Sequence, residues 1–216
     1  MPAAAPEPGR DCPRCPRLVA FRKANRKQQP DWHNAPVTSF GPRDARLLIV
    51  GLAPGRRGAN RTGRPFTGDF SGELLYATLI KSGFARGKYQ ARADDGLELV
   101  DARITNAVRC VPPENKPTPA EIRACNSFLA ATIADMPRLT AIVALGRIAH
   151  DAVLLALEVA RPRPRFSHGA VHSLAGGRTI FDSYHCSRQN TNTGRLTPKM
   201  FRSVFRAVRA HLDRLA

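Results

Sequence analysis

A long glycine-rich segment follows the first strongly apolar run and has the composition of an anion-binding loop. It reads GLAPGRRGANRTGRPFTGD (51–69) and holds five glycines, two prolines and four arginines. Glycine permits close approach of a backbone to a ligand and exposes amide donors, and arginine neutralises phosphate. The alternative for any single arginine is a solvated side chain, so the indication of a polyanion site comes from the cluster.

Four of the five cysteines form two pairs that could bind a metal. Cys12 and Cys15 make a C-x-x-C motif, whereas Cys110 and Cys125 flank a proline-rich stretch much later in the chain. Thiolates bind both zinc and iron–sulfur clusters. Spacing alone favours zinc, and a pair of unconnected buried thiols is the alternative for Cys110 and Cys125. Cys186 is left over.

The elements that position these residues alternate between strand and helix. The predicted strands are continuously apolar, as in a parallel sheet covered on both faces, and span 46–52, 102–108, 140–146 and 177–184. Capping signals and 3.6-residue periodicity predict helices over 71–83, 118–136, 147–160 and 197–215.

This alternation predicts a three-layer α/β/α sandwich with a central four-stranded parallel sheet. Residues 1–10 are expected to be a disordered tail, and 11–216 a single domain. Ligands of such sheets bind at the carboxyl ends of the strands. The segments 51–69, 105–110 and 185–190 all fall there, so we expect them to form one site.

Composition restricts the partners and the compartment. The chain has 34 Lys and Arg against 17 Asp and Glu, a net charge of +17, which favours a polyanionic partner. It has neither an apolar run of membrane-spanning length nor the apolar region of an export signal. We therefore expect a cytoplasmic protein whose cysteines are not disulfide-bonded.

Three stretches together resemble the uracil-DNA glycosylase superfamily, and most closely its family 5 branch of iron–sulfur enzymes. They are residues 51–69, TNAVRCVPPENKPTPAEIRAC (105–125) and HCSRQNTNTGRLT (185–197). The resemblance extends from Cys12 to about Pro198. It implies one structural 4Fe–4S cluster with Cys12, Cys15, Cys110 and Cys125 as ligands. The family usually has proline where this chain has Cys186, so the loop that follows is expected to be less constrained.

The resemblance also implies roles for residues that would bind a flipped uracil. Phe66 would stack on the base and Asn106 would pair with its Watson–Crick edge, since an amide matches N3–H and O4. His185 would donate to O2 as negative charge gathers there. Gly51, Leu52 and Ala53 would complete the base pocket. The predicted DNA-binding residues are Arg56, Arg57, Arg61, Ser187, Arg188, Gln189 and Asn190, and Arg64 of the same glycine-rich segment is also expected to neutralise phosphate.

The residue that would activate water is the point at which this chain differs from related branches. Related branches carry a carboxylate where this chain has Ala53 or Leu52, and neither residue can act as a base. Asp69 is the nearest carboxylate in the motif, and the resemblance implies that it positions or deprotonates water. The alternative is that Asp69 only caps the helix that begins near Ser71.

The sequence therefore predicts a monomeric, monofunctional DNA glycosylase that excises uracil, and also hypoxanthine and other deaminated bases, leaving an abasic site in base excision repair. An alternative is a non-catalytic or covalent uracil-DNA-binding protein on the same iron–sulfur fold. The covalent branch carries an additional KRRIH-like loop, which this chain lacks.

Overall fold

A computed structural model describes residues 7–215. The greater part of the predicted N-terminal tail, residues 1–6, lies outside the described residues. Residues 7–10 are placed against the body of the protein, because the Glu7 carboxylate accepts a hydrogen bond from the Ser39 amide at 3.2 Å and lies 3.0 Å from the Arg109 guanidinium. Residues 7–10 of the predicted tail are thus part of the described structure.

Helices and strands alternate along most of the described chain. The helices are α1 (Pro16–Gln28), α2 (Ala59–Thr62), α3 (Phe70–Lys81), α4 (Pro119–Ala134), α5 (Arg147–Ala156), α6 (Arg188–Asn192) and α7 (Pro198–Asp213). The strands are β1 (Leu47–Gly51), β2 (Ala85–Arg86), β3 (Glu98–Leu99), β4 (Ala102–Asn106), β5 (Ala141–Leu145), β6 (Val171–Ser173) and β7 (Thr179–Ser183).

The central sheet has five strands in the order β4-β1-β5-β7-β6. The strands β4, β1, β5 and β7 are parallel, as predicted from their continuous apolar runs. The prediction omitted β6, an antiparallel edge strand of three residues that pairs Val171 with Phe181. Strand β6 has little signal in the sequence because it is short and none of its residues is buried.

Both faces of the sheet are covered, which explains why its strands are apolar without alternation. On β1, Leu47 and Ile49 join the apolar cluster beneath α3 and α7, whereas Leu48 and Val50 join the cluster beneath α4 and α5. The predicted three-layer sandwich is therefore confirmed.

The predicted helices are present, with ends that shift by a few residues. Helix α4 begins with the predicted capping box, in which Thr118 Oγ1 accepts from the Glu121 amide and the Glu121 carboxylate accepts from the Thr118 amide. The unpredicted α1 begins directly after Cys15 and buries only Leu18, Arg22 and Asn25, which is too little apolar surface for a clear periodicity. Among residues 7–215, no helix is both long and apolar enough to cross a membrane.

Candidate active site

A cleft of about 620 Å³ lies at the carboxyl ends of the parallel strands. The three segments that sequence analysis singled out meet in it, as the topology requires. Ten of the predicted site residues line it: Leu52, Ala53, Phe66, Asp69, Asn106, His185, Ser187, Arg188, Gln189 and Asn190. Gly51 lies behind them, where a methyl group would overlap the Asn106 side chain and come within 2.5 Å of the Phe66 ring.

Phe66 forms an aromatic wall of the cleft. Its ring is stacked against the His185 imidazole, with centroids 5.8 Å apart and planes inclined by 27°. Its backbone has a φ of 53°, which is unusual for a bulky residue and indicates that the surrounding loop holds it in place. A phenylalanine so held offers a flat surface to a planar ligand.

Asn106 ends β4 and is almost completely buried. Its Oδ1 has no hydrogen-bond partner among the described residues. Leaving a buried acceptor unpaired costs about 1–3 kcal/mol, so this amide is positioned to bind something that enters the cleft. A ligand with an N–H group would satisfy it.

His185 follows β7 and lines the cleft beside Phe66. Burial lowers the pKa of its imidazole from 6.5 to about 4. At neutral pH the ring is therefore uncharged, with one N–H that can donate and one nitrogen that can accept. A neutral donor is suited to stabilising charge that develops during a reaction.

Asp69 both caps a helix and lines the cleft. Its Oδ1 accepts from the Ser71 amide at 3.1 Å at the start of α3. Its Oδ2 lies against Gly55 and Gly58, where a methyl group at Gly55 would come within 2.6 Å of it and one at Gly58 would overlap it. Burial raises the pKa of Asp69, although backbone hydrogen bonds from Gly72 and Ser71 oppose this shift. The carboxylate therefore caps α3 through one oxygen while Asp69 also lines the cleft, and its role in positioning water stays a prediction.

The arginines of the glycine-rich segment do not act as one cluster. Arg64 is buried and forms a bidentate ion pair with Asp95 at 2.7 and 2.8 Å, so its predicted contact with phosphate is wrong. Arg56 donates to Asn25 and Gln28 of α1. Only Arg57 and Arg61 have exposed side chains, and neither lines the cleft. Phosphate contacts by Arg56, Arg57 and Arg61 stay predictions.

The segment after His185 forms the short helix α6 at the rim of the cleft. The Asn190 side-chain amide donates to the His185 carbonyl at 2.8 Å, which ties the rim to the strand end. Ser187 caps the helix by accepting from the Asn190 amide. Cys186, in place of the usual proline, is buried beneath the rim, and its thiol donates to the Ser71 carbonyl at 3.4 Å.

Sequence analysis missed the opposite rim of the cleft, which Glu114, Asn115 and Lys116 form. Glu114 and Asn115 both adopt left-handed backbone conformations, with φ of 54° and 57°. Two consecutive residues of this kind mark a tight, strained turn. The flanking prolines in VPPENKP were a signal of a turn, but nothing in the pattern indicated which way it faces.

Cys12, Cys15, Cys110 and Cys125 line one small, largely apolar cavity near the start of α1. The Arg109 amide donates to the Cys125 sulfur at 3.4 Å, and the Arg22 guanidinium donates to the Cys110 sulfur at 3.5 Å. No three of these four sulfurs lie within 4.8 Å of one another. The tertiary structure therefore joins the two sequence pairs into one wide group of four sulfurs.

A second polar cluster, unpredicted from sequence, lies outside the cleft. Asp182 on β7 accepts from His150 Nδ1 at 2.8 Å and from His172 Nε2 at 3.1 Å. The other nitrogen of His150 faces the Pro164 carbonyl at 3.0 Å. Although burial lowers the pKa of His150, these hydrogen bonds outweigh it and the pKa is raised.

The chain is similar to a known family and to several characterised proteins. The family model "Uracil DNA glycosylase superfamily" matches residues 38–209. A type-5 uracil-DNA glycosylase of Thermus thermophilus is 48% identical over 199 residues, covering 89% of this chain and 90% of the relative. A type-5 enzyme of Pyrobaculum aerophilum is 41% identical over 93% of this chain and 88% of its own length.

Similarity to the type-4 branch is weaker. A type-4 uracil-DNA glycosylase of Thermotoga maritima is 34% identical over 70% of this chain and 69% of its own length. The resemblance inferred from the three motifs is thus confirmed by matches over nearly the whole chain, and the chain belongs to the type-5 branch of the uracil-DNA glycosylase superfamily.

Proposed function

We propose that the protein is a monofunctional DNA glycosylase that hydrolyses the N-glycosidic bond of uracil in DNA and leaves an abasic site. The observation that carries this proposal is the buried Asn106 Oδ1, which has no partner among the described residues and lies beside the aromatic wall of the cleft. An amide edge and a flat ring that face the same cleft suit a nucleobase removed from the helical stack. The type-5 relatives support the same activity.

Four side chains take part in the reaction. Phe66 stacks on the extruded base, and Asn106 accepts from its N3–H through Oδ1 while its amide group donates to O4. As the bond from the sugar to the base breaks, negative charge gathers on O2, where the neutral His185 donates its N–H. The sugar becomes cationic, and Asp69 orients water toward it and accepts a proton.

The same cleft suggests a range of bases wider than uracil. Leu52 and Ala53 supply no polar group that would reject an unusual base edge, and Gly55 adds no side chain over the pocket. We propose that hypoxanthine and other deaminated bases are also released. We also propose that the protein acts as a monomer, which the molar mass from light scattering would test.

The direct test is base release from defined duplexes. Purified protein in excess is incubated with duplexes that carry U, hypoxanthine, xanthine or T opposite G and opposite A, and abasic sites are then cleaved with alkali. The proposal expects cleavage at U in a single turnover. Tight binding of uracil duplex without any alkali-labile product would instead support a binding protein, and a covalent adduct on a denaturing gel would support a covalent one.

Asn106→Asp tests the reading of the base edge. An ionised carboxylate has no donor for O4 and repels it, so we expect release of uracil to slow. The expected loss for uracil is roughly 10–200-fold, the scale of one well-placed hydrogen bond that becomes repulsive. Hypoxanthine presents the same pair of groups, N1–H and O6, so its release should slow to a similar degree. The measurement is the single-turnover rate for each base, and unchanged rates would show that Asn106 does not contact the base edge.

We also propose that the four cysteines around α1 hold a 4Fe–4S cluster. A single zinc ion with Zn–S bonds of about 2.3 Å would draw all four sulfurs to within about 4 Å of one another, whereas no three of them lie within 4.8 Å of one another here. The amide and guanidinium donors to sulfur also suit a cluster, whose sulfurs commonly accept such bonds. When bound, the cluster would link the segment before α1 to the loop after β4.

Two matched cysteine variants test the cluster. Cys125→Ser should abolish stoichiometric iron and the brown absorbance, because a serine hydroxyl is a poor ligand for iron in such clusters. Cys186→Ser is the control and should retain about four irons per chain. Arg17 also anchors the N-terminal segment, through a 2.7 Å ion pair with Glu121, so Cys125→Ser is expected to lose iron before it loses its fold. Zinc without iron in the wild-type protein would contradict the proposal.

A further inference from the structure

An arginine-rich segment lies between α5 and β6 and takes no part in the reaction described above. It reads RPRPR from Arg161 to Arg165, and all three arginine side chains are exposed. Within residues 7–215, no carboxylate forms an ion pair with Arg161, Arg163 or Arg165, and Arg163 donates only to the Val159 carbonyl. The alternating prolines restrict the backbone, so the three charges lie on a conformationally restricted segment.

Hydrogen bonds attach the residues that follow this segment to the strand that leads into the active site. The Gly169 amide donates to the Asp182 carbonyl at 2.8 Å, and the Tyr184 amide donates to His168 Nδ1 at 3.1 Å. The Ser167 amide reaches the Asp182 carboxylate at 3.3 Å. Asp182 and Tyr184 lie immediately before His185, so the residues that follow the arginines are attached close to the cleft.

The buried His150–Asp182 pair contacts the segment through the Pro164 carbonyl. Both nitrogens of His150 face groups that only accept hydrogen bonds, the Asp182 carboxylate and the Pro164 carbonyl. When it is protonated, the imidazole donates to both of them, and one of these acceptors belongs to a proline of the RPRPR segment. The Pro164 carbonyl lies between two of the arginines and is already held by this contact. The segment therefore loses little conformational entropy when it binds a partner.

The positive charge continues from this segment to the rim of the cleft. The Arg195 guanidinium lies 4.6 Å from the centre of the Tyr184 ring, whose other neighbours are the rings of His168 at 5.0 Å and Phe166 at 6.1 Å. Arg188, on the rim, lies 5.5 Å from the ring of Phe70, which lines the cleft.

We propose that Arg161, Arg163, Arg165 and Arg195 form a second phosphate-binding surface, the flanking ridge, which binds the DNA backbone away from the flipped nucleotide. This proposal depends on the proposed function only because it takes DNA as the ligand. Its charge, its exposure and its continuity with the rim suit a line of phosphates. Because it lies outside the cleft, it contributes to affinity for long duplexes and not to cleavage of the glycosidic bond.

The test compares two variants with the same reduction in charge. In Arg161→Gln/Arg165→Gln two cations are removed from the ridge. In Arg138→Gln/Arg214→Gln two exposed cations are removed near the amino ends of the strands, at the opposite edge of the sheet. Fluorescence anisotropy measures binding of a 24-bp duplex and of an 8-bp duplex, each carrying one 2′-fluoro-deoxyuridine that resists cleavage, over a range of salt concentrations.

The ridge variant is expected to bind the 24-bp duplex about tenfold more weakly. Its slope of log K against log salt should become shallower by about 0.9 for each phosphate that the ridge no longer neutralises. Binding of the 8-bp duplex and the single-turnover rate at saturating enzyme should match those of the control variant. Equal effects of the two variants on the 24-bp duplex, or an equal weakening on both duplexes, would overturn the ridge. Wild-type protein that binds but releases no uracil would overturn the glycosylase function and leave the ridge standing.

Discussion

Replacing His185 by alanine is expected to slow single-turnover release of uracil by roughly 10²–10³-fold, the effect of removing one donor from a site of developing negative charge. Affinity for a non-cleavable uracil duplex should change little, since phosphate contacts provide most of it. His185→Gln, which retains an N–H donor, should recover part of the rate. If alanine and glutamine variants were equally slow, the stacking of His185 on Phe66, and not its hydrogen bond, would be the important interaction.

The low pKa of His185 adds a pH signature to this prediction. With a pKa of about 4, the imidazole stays neutral at pH 5–6, where an ordinary histidine is protonated. The rate should therefore show no loss near pH 6.5 that depends on His185. The unfolded chain binds a proton below pH 6.5 that the folded chain excludes, so His185 lowers stability as pH falls from 6.5 toward 4. His185→Ala should remove this component of the pH dependence of unfolding.

The second large effect is expected for Asp69→Asn, which should slow uracil release by roughly 10²–10⁴-fold, the range for loss of a general base. Asparagine caps helices about as well as aspartate, so α3 should begin normally. Burial raises the pKa of Asp69, which means that ionisation opposes folding at neutral pH. The variant should therefore unfold at the same temperature as the wild type or a higher one, and calorimetry would separate the two roles.

Two further variants sharpen this test. Gly58→Ala keeps the carboxylate but places a methyl group where Oδ2 lies, so it should also slow the reaction by displacing Asp69. Asp69→Ala should lose both the rate and about 1 kcal/mol of stability, because the cap is removed as well. Near-native rates in Asp69→Asn would show that Asp69 acts only as a helix cap. Backbone groups would then have to position the attacking water.

Much of the fold could be predicted because its signals are local. The apolar runs of β1, β4, β5 and β7 can be recognised without information on distant residues. The Thr-Pro pairs that begin α4 and α7 are helix caps, which depend on only a few neighbouring positions. The edge strand β6 and helix α1 escaped prediction because neither buries enough apolar surface to give a clear pattern, so their order depends on tertiary contacts. Val171 pairs with Phe181, and α1 is held beside α4 by the Arg17–Glu121 ion pair.

The sequence by itself determined the family, the parallel sheet and the edge at which the site lies, because residue types and short spacings carry that information. Only the tertiary structure decided which arginines are free. Arg64 belongs to the same motif as Arg57, yet it is buried on Asp95, 31 residues later, while Arg57 is exposed. It likewise decided that Asp69 both caps α3 and faces the cleft. The reason is physical: burial and ion pairing depend on which distant groups fold against a side chain, and no local pattern encodes them.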